Sequence, residues 1–241
     1  MKNFNTQAVV LKNIKYRDSD KIFTLFTREH GKISALARGV RKISSRRAGN
    51  LDTLNLVSVS IHERSNGFKD IKEVKTLESF KSLKKDLKKS VKAYYLAELI
   101  HRAVEENEEV PQIFDLFVNS LKALQKDGYK GDLVISYFEM NLMKLLGFQL
   151  TLDKCRKCGR VLDGSWKKYS FNVENGSLEC EKCSKFGVTV SKEASMAFSR
   201  VFDGKLAKDL EKSAEEIDRI LKIYIGRKLE SKFKSLEIDI S

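Results

Sequence analysis

The 241-residue chain is poor in several kinds of residue, and each shortage excludes something. No apolar run approaches the roughly 20 residues needed to span a bilayer, so a membrane location is not expected. The opening residues, MKNFNTQAVV, lack a basic patch followed by an apolar stretch and a small-residue cleavage site. The cytoplasm is therefore the expected compartment. Neither phosphate-cradling glycine pattern, GxxxxGK followed by Ser or Thr nor GxGxxG, is present. Only three histidines occur, His30, His62 and His101, and none sits near a cysteine or in a metal-ligand spacing. The carboxylates Glu105, Glu106, Glu108 and Glu109 cluster at a helix end, where solvated charge is the ordinary explanation. No catalytic constellation emerges, and an enzyme is not expected. Internal repeats and low-complexity linkers are absent too.

What is abundant is positive charge. The formal net charge is +13, and 41% hydrophobic residues are enough for a real core despite 33% charged ones. Such a balance favours polyanionic partners. Residues 1–80 hold 16 Lys/Arg against 8 Asp/Glu, a net of +8, whereas residues 81–150 and 189–241 each net +1 and residues 151–188 net +3. Concentration at the front of the chain points to a binding face there. Residues 30–51 carry Lys32, Arg38, Arg41, Lys42, Arg46 and Arg47 with no acidic residue, and Gly39, Ser44, Ser45 and Gly49 loosen the stretch. Arginine forks match phosphate oxygens, which dominate affinity for nucleic acid. Tyr16 is a candidate for stacking on bases, while Phe23 and Phe26, among Ile22 and Leu25, read as core.

The first 80 residues read as β. Strands are expected at Thr6–Asn13, Lys21–Thr27, Lys32–Ala37, Leu54–Ile61 and Phe68–Leu77, from their β-branched and aromatic content between turn residues. Five short strands without a helix between them suggest a small closed barrel, of which the OB-fold is the common five-stranded form. An SH3-like or other small β domain is the competing reading. From about Ser82 the period changes to spacings of three and four: Leu83, Leu87, Val91, Tyr94, Ala97 and Ile100 make a helical stripe read as core. Helical spacing continues over Ile113–Leu124, begun by the single proline, Pro111, and over Leu133–Leu146, ended by Gly147. It returns over Lys192–Phe202 and roughly 206–236. The expected class is thus α+β, with a barrel domain (1–80), a helical domain in two parts (81–149 and 189–241) and an insertion at 150–188.

That insertion holds all four cysteines as two CxxC knuckles, Cys155–Cys158 and Cys180–Cys183, with 21 residues between them. The spacing fits a tetrahedral four-thiolate zinc site of the ribbon kind. Four protein thiolates leave no open position for water, so one structural Zn2+ is expected. A redox CxxC would be expected singly in a βαβ setting, and structural disulfides belong to exported chains; both fit less well. Between the knuckles, 168–173 and 177–178 flank Asn175-Gly176 as a short hairpin. The nearby Arg156, Lys157, Arg160, Lys167 and Lys168 read as solvated surface more than as phosphate contacts.

Two stretches carry a specific resemblance. Tyr16-Arg-Asp-Ser-Asp20, continuing through KIFTLFTREHGKISALARGVRK, resembles the amino-terminal signature of the bacterial RecO proteins of DNA repair. YFEMNLMKLLGFQLTLDKCRKCG, a helix running into the first knuckle, is similar to a second RecO segment. The resemblance implies an OB-fold, a helical body and a zinc-binding insertion. It implies a mediator that binds single- and double-stranded DNA and anneals complementary strands without ATP. Such proteins act with RecR, often with RecF, and help RecA replace single-strand-binding protein. Arg38, Arg41 and Lys42 match the family's DNA- and RecR-contacting region, and Arg17 and Lys21 in the same stretch join the DNA-binding candidates. Thr53 departs from relatives that carry proline there. An RNA-binding or ribosome-associated module remains the alternative function.

Overall fold

In the computed structural model, residues 2–42, 45, 47–126 and 131–229 are described. They form two compact units, one running to Gln125 and one starting at Lys126.

The first unit begins with β1 (Lys2–Tyr16), β2 (Asp20–Thr27), β3 (Gly31–Ala37), β4 (Leu56–Glu63) and β5 (Lys69–Glu78). Their order is β1-β2-β3-β5-β4, closed into a barrel because β1 also pairs with β4. The amino-terminal part of β1, residues 2–9, lies antiparallel to β4, and residues 8–16 lie antiparallel to β2. A register shift between Val10 and Lys12 marks the bend that lets one strand serve two neighbours. On the opposite side β3 and β5 run parallel, with Ala35 facing Lys69 and Leu36 facing Asp70. The five strands expected from the sequence are all present, and β1 is longer than expected at both ends.

Alternation sends Ala8, Val10, Phe23, Leu25, Ile33, Ala35, Val57, Val59 and Ile61 into the barrel. Phe26 points the other way and is still fully buried, because it packs on Phe114 and Phe117 with ring centroids 5.6 and 6.3 Å apart. This second burial explains why β2 reads as a continuous apolar run rather than a strict alternation. The helices of this unit are α1 (Lys81–Lys85), α2 (Leu87–Ala103) and α3 (Pro111–Gln125), and both rings against Phe26 belong to α3. The guanidinium of Arg28 fastens α3 to the end of β2 with two 3.0 Å hydrogen bonds to Asp115.

The stripe from Leu83 to Ile100 is not one helix. Asp86 takes an extended conformation (φ −92°, ψ 116°), and its carboxylate accepts the N–H of Lys89 at 3.0 Å as an N-cap. The interruption resets the helical phase. Leu83 is buried on α1, but Leu87 and Tyr94 on α2 are exposed, and the buried face of α2 is Ala93, Leu96, Ala97, Leu99 and Ile100. Two of the six stripe residues are therefore surface, not core.

The second unit holds α4 (Gly131–Leu145), β6 (Tyr169–Asn172), β7 (Ser177–Cys180), β8 (Val188–Val190), α5 (Lys192–Phe202) and α6 (Glu211–Lys228). Gly147 does end the α4 segment, at φ +87° with its N–H on the Lys144 carbonyl. β7, β6 and β8 form a small sheet, and Phe171 of β6 stacks on Phe198 of α5 at 5.5 Å and meets Tyr224 of α6 edge-on at 5.9 Å. The expected hairpin around Asn175-Gly176 is β6–β7. Helical spacing from 206 resolves into a short 3-10 turn at Lys208–Leu210 and then α6; residues past 229 lie outside the described ones.

Gly31, the first residue of β3, has φ +62°, and a Cβ there would lie 2.0 Å from the carbonyl oxygen of Glu108. Gly67 also has positive φ but open space around it. Gly31→Ala is expected to cost more than about 2 kcal/mol, and Gly67→Ala about 1 kcal/mol, since only the first adds a steric clash to the left-handed backbone. Chemical denaturation of both variants checks the difference.

Candidate metal centre and nucleic-acid interface

The second unit brings the four cysteines together. Cys155 lies in a tight turn in which the N–H of Gly159, at φ +74°, reaches the Cys155 carbonyl at 2.8 Å. Cys180 ends β7, and the N–H groups of Cys183 and Ser184 both reach its carbonyl at 3.0 Å. All four sulfurs lie within 4.8 Å of one another, with Cys158 and Cys180 Sγ 3.8 Å apart. Tetrahedral coordination with metal–sulfur bonds of about 2.3 Å places sulfurs about 3.8 Å apart, so the donor set and its spacing fit a metal ion. Cys155 and Cys180 are buried, Cys158 is exposed and Cys183 is partly so.

The protons on this cluster behave unequally. Burial pushes the Cys155 thiol up, but N–H groups of Cys180, Cys158 and Lys157 aimed at its sulfur outweigh that and bring it down to about 7. Cys183 is pushed up to about 12, first by its hydrogen bond with Cys158 and then by burial. One thiolate is thus prepared by the backbone, and further ones gather only where a cation balances them.

Lysine and arginine beside the knuckles are mostly committed to this unit. Glu179 is fully buried on β7, and its carboxylate accepts from Lys157 Nζ at 3.1 Å and Asn172 Nδ2 at 2.9 Å. The same ammonium donates to the Cys183 carbonyl at 3.0 Å, which ties the two knuckles. Arg160 bonds Glu181 at 2.9 Å. The surface reading of Lys157 and Arg160 in the sequence missed these roles, because nothing local shows that Glu179 is buried.

In the first unit, the basic candidates separate into groups. Asp20 organises their setting: its Oδ1 accepts the Gly39 N–H at 2.8 Å and the Ser19 hydroxyl at 3.1 Å, joining the β1–β2 turn to the segment after β3. The Gly39 N–H holds its carboxyl below the usual range. Around this junction Ser19, Arg38, Lys42, Ser45 and Arg47 line a cleft of about 580 Å³. Arg38 is 64% exposed at its side chain, with Nε 3.7 Å from Asp70. Lys42 and Arg17 are exposed, and Lys21 is half-buried. Arg41, also exposed, bonds the Asp18 carbonyl at 2.9 Å, and Arg47 bonds the Ile71 carbonyl at 3.1 Å and the Arg38 carbonyl at 2.7 Å. Arg46 falls outside the described residues.

Lys32 does not join this surface. It is buried, and its ammonium donates to the His101 carbonyl at 2.5 Å, satisfying a carbonyl near the carboxyl end of α2. His101 Nε2 lies 2.7 Å from Lys12 Nζ. Alternation along β3 sends Lys32 opposite to Ile33 and away from solvent, since α2 covers that side. Tyr16 is exposed, with the Arg17 guanidinium 5.2 Å from its ring centre. Arg64 and Phe68, in the β4–β5 loop, were not among the binding candidates; Phe68 was read as the first residue of a strand, which instead begins at Lys69, although an aromatic directly after an Asn-Gly turn is a readable signal.

Comparison with known proteins now decides the family. The family models described as Recombination protein O N terminal and Recombination protein O C terminal match residues 1–80 and 84–237. The chain belongs to the RecO family. A curated protein named DNA repair protein RecO from Thermoanaerobacter sp. (strain X514) is 31% identical over 98% of this chain and 96% of its own length. Its namesake from Geobacter sulfurreducens is 33% identical over 78% of the chain and 75% of its own length. Among the described residues of this RecO-family chain, no helix is long and apolar enough to cross a membrane.

Two outcomes are expected here. If the four cysteines hold a structural metal, a chelator or Cys155→Ser should unfold the second unit's cysteine segment and lower Tm by several degrees, since structural metal contributes directly to folding; circular dichroism melts with and without added Zn2+ check this, and an unchanged Tm would exclude that role. His101 is held below its ordinary value, first by burial and then by Lys12, Lys32 and Arg102, with Glu106 opposing. The unfolded chain therefore binds the proton more readily. His101's contribution is complete above about pH 6.5 and is lost as the pH falls below it. His101→Asn should flatten the stability profile between about pH 7 and 5 in denaturant titrations.

Proposed function

We propose that this chain is a DNA repair mediator that binds DNA through the basic surface of its barrel. The observation that carries the proposal is the gathering of Arg17, Arg38 and Lys42 around the Asp20–Gly39 junction, solvent-facing and lining or flanking one cleft. Membership of a family whose curated members are named for DNA repair supports the same reading. We assign the barrel as an OB-fold: the strand order, the antiparallel closure of β1 on β4 and the parallel contact of β3 with β5 support it.

Two strands approaching each other repel through their phosphates, and a surface that neutralises several of them lowers that barrier. Single- and double-stranded DNA both present phosphate to such a face. Annealing of complementary strands then needs charge neutralisation and positioning but no ATP and no covalent step. We further propose that the chain acts with RecR, and with RecF where present, to help RecA displace single-strand-binding protein from single-stranded DNA in the cytoplasm, at the nucleoid. The cysteine cluster would hold one Zn2+ through Cys155, Cys158, Cys180 and Cys183. Zinc matches four thiolates chemically, and it would join the two knuckles that Lys157 already bridges.

Neutralising about five phosphates of a single strand gives a salt slope of roughly −3 to −4. Replacing Arg38 and Lys42 together by alanine should weaken oligonucleotide binding and flatten that slope by about 1 to 1.5 units. Annealing of labelled complementary strands coated with single-strand-binding protein should slow in parallel. Unchanged affinity in the double variant would move the DNA surface elsewhere.

A further inference from the structure

The barrel carries a second depression that the cation count does not find. A groove of about 490 Å³ runs between the β1–β2 turn and the β4–β5 loop, across β2 and β3. Its floor includes Ile22 and Leu36, both only partly buried. Tyr16, 39% exposed, stands on one side, and Phe68, 68% exposed, stands on the loop. Two solvent-facing aromatic rings and an apolar floor in one groove are costly to leave wet, and flat apolar ligands would cover them.

Phe68 is carried on a well-ordered backbone. Its carbonyl accepts the Arg64 N–H at 2.8 Å, the Gly67 N–H reaches the Arg64 carbonyl at 3.0 Å, and its own N–H reaches Asn66 Oδ1 at 3.3 Å. Lys69, the next residue, is already in register with Ala35 of β3. The Phe68 backbone is thus fixed where the Asn66-Gly67 turn meets β5, and its ring projects from that ordered backbone largely into solvent.

Charge gives the groove a direction. Arg17 lies over Tyr16, the Arg64 fork grips Asp70 with two 2.6 Å bonds, and Arg38 stands 3.7 Å from the same carboxylate. Glu106 sits on the opposite rim, 3.5 Å from Ser34 Oγ, because residues 105–109 run beside β3 from the Lys32–Glu106 bridge. A phosphate is attracted to the arginine side and repelled by Glu106, so a strand's backbone follows the arginines and its bases turn inward.

We propose that this groove takes unpaired bases of single-stranded DNA, with the Phe68 ring as stacking platform and Tyr16 as its counterpart. It rests on the DNA-binding reading above and adds to it the source of discrimination between strand states. The volume lies within the range of sites that hold one small ligand, so it admits single bases and not a duplex, whose base faces are covered by neighbours.

The test compares three probes on the full chain by fluorescence anisotropy: oligothymidylate, an abasic strand of equal length, and a duplex. Phe68→Ala should weaken oligothymidylate binding by about tenfold, the range expected for loss of one base–aromatic stack, with abasic and duplex binding unchanged within about twofold. Phe68→Trp should retain wild-type affinity. Equal loss on all three probes, or no loss on any, overturns the assignment; an unchanged melting temperature for Phe68→Ala separates a lost stack from a damaged fold. If Arg38→Ala/Lys42→Ala abolishes binding while Phe68→Ala is neutral, the groove alone is refuted. Failure of the wild-type chain to bind any probe refutes the DNA-binding reading and the groove with it.

Discussion

Closure of the barrel by β1 is the constraint on which the first unit depends. A single strand pairs with β4 along residues 2–9 and with β2 along residues 8–16, and the shift between Val10 and Lys12 turns it from one neighbour to the other. An open five-stranded sheet would leave the hydrogen-bonding edges of β1 and β4 unpaired and one face of Ala8, Val10, Val57 and Val59 in water. Once closed, the sheet fixes where its connections emerge. The β1–β2 turn meets the segment after β3 through Asp20 and Gly39, and the β4–β5 loop comes to the groove across β2 and β3. Cations and aromatics far apart in sequence share a surface for that reason.

The second unit is organised by a different balance. Its sheet is small, with strands of three and four residues, and it leans on α5 and α6 through Phe171. Cysteine sulfurs gathered within 4.8 Å do not ionise alike: Cys155 is brought down to about 7 while Cys183 is pushed up to about 12, so without a cation one thiolate forms readily and Cys183 keeps its proton, whereas a divalent cation would balance all four. Buried Glu179 adds a negative charge close by, which Lys157 compensates. The neutralising groups thus come from the chain itself, next to the knuckle that carries the thiolates.

Sequence pattern revealed the periodic features well. Five strands, the β6–β7 hairpin, the helix end at Gly147 and the cysteine spacing all leave local signatures, because each depends on neighbours two to four residues away. The broken stripe at Asp86 was harder: apolar spacing survived across the break, and only the cap geometry shows that Leu87 and Tyr94 leave the buried face. Lys32 was misplaced for a related reason. Its neighbour in space is the end of α2, about 70 residues away in the chain, and a β-strand lysine facing a helix reads like one facing water.

The same limit applies to charge, and it governs how the basic segment is to be understood. Arg38, Arg41, Lys42 and Arg47 look equivalent in a sequence, but their partners differ in kind. Arg47 holds the carbonyls of Ile71 and Arg38, and Arg41 holds the carbonyl of Asp18, so each closes part of the loop that presents the others. Among the described residues, the Arg38 and Lys42 side chains hold no main-chain carbonyl, and they face the cleft, with Arg38 3.7 Å from the Asp70 carboxylate. A cation bound to a main-chain carbonyl keeps its charge, so it still adds to the field that draws a polyanion in. Removing it, however, frees the loop as well as subtracting a charge. Loss of binding at Arg41 or Arg47 would be compatible with either contact or scaffolding, whereas loss at Lys42 would report contact with the proposed strand, and loss at Arg38 would report contact together with its ion pair to Asp70. The physics of the loop lies in that division, half of its cations shaping the surface that the other half displays.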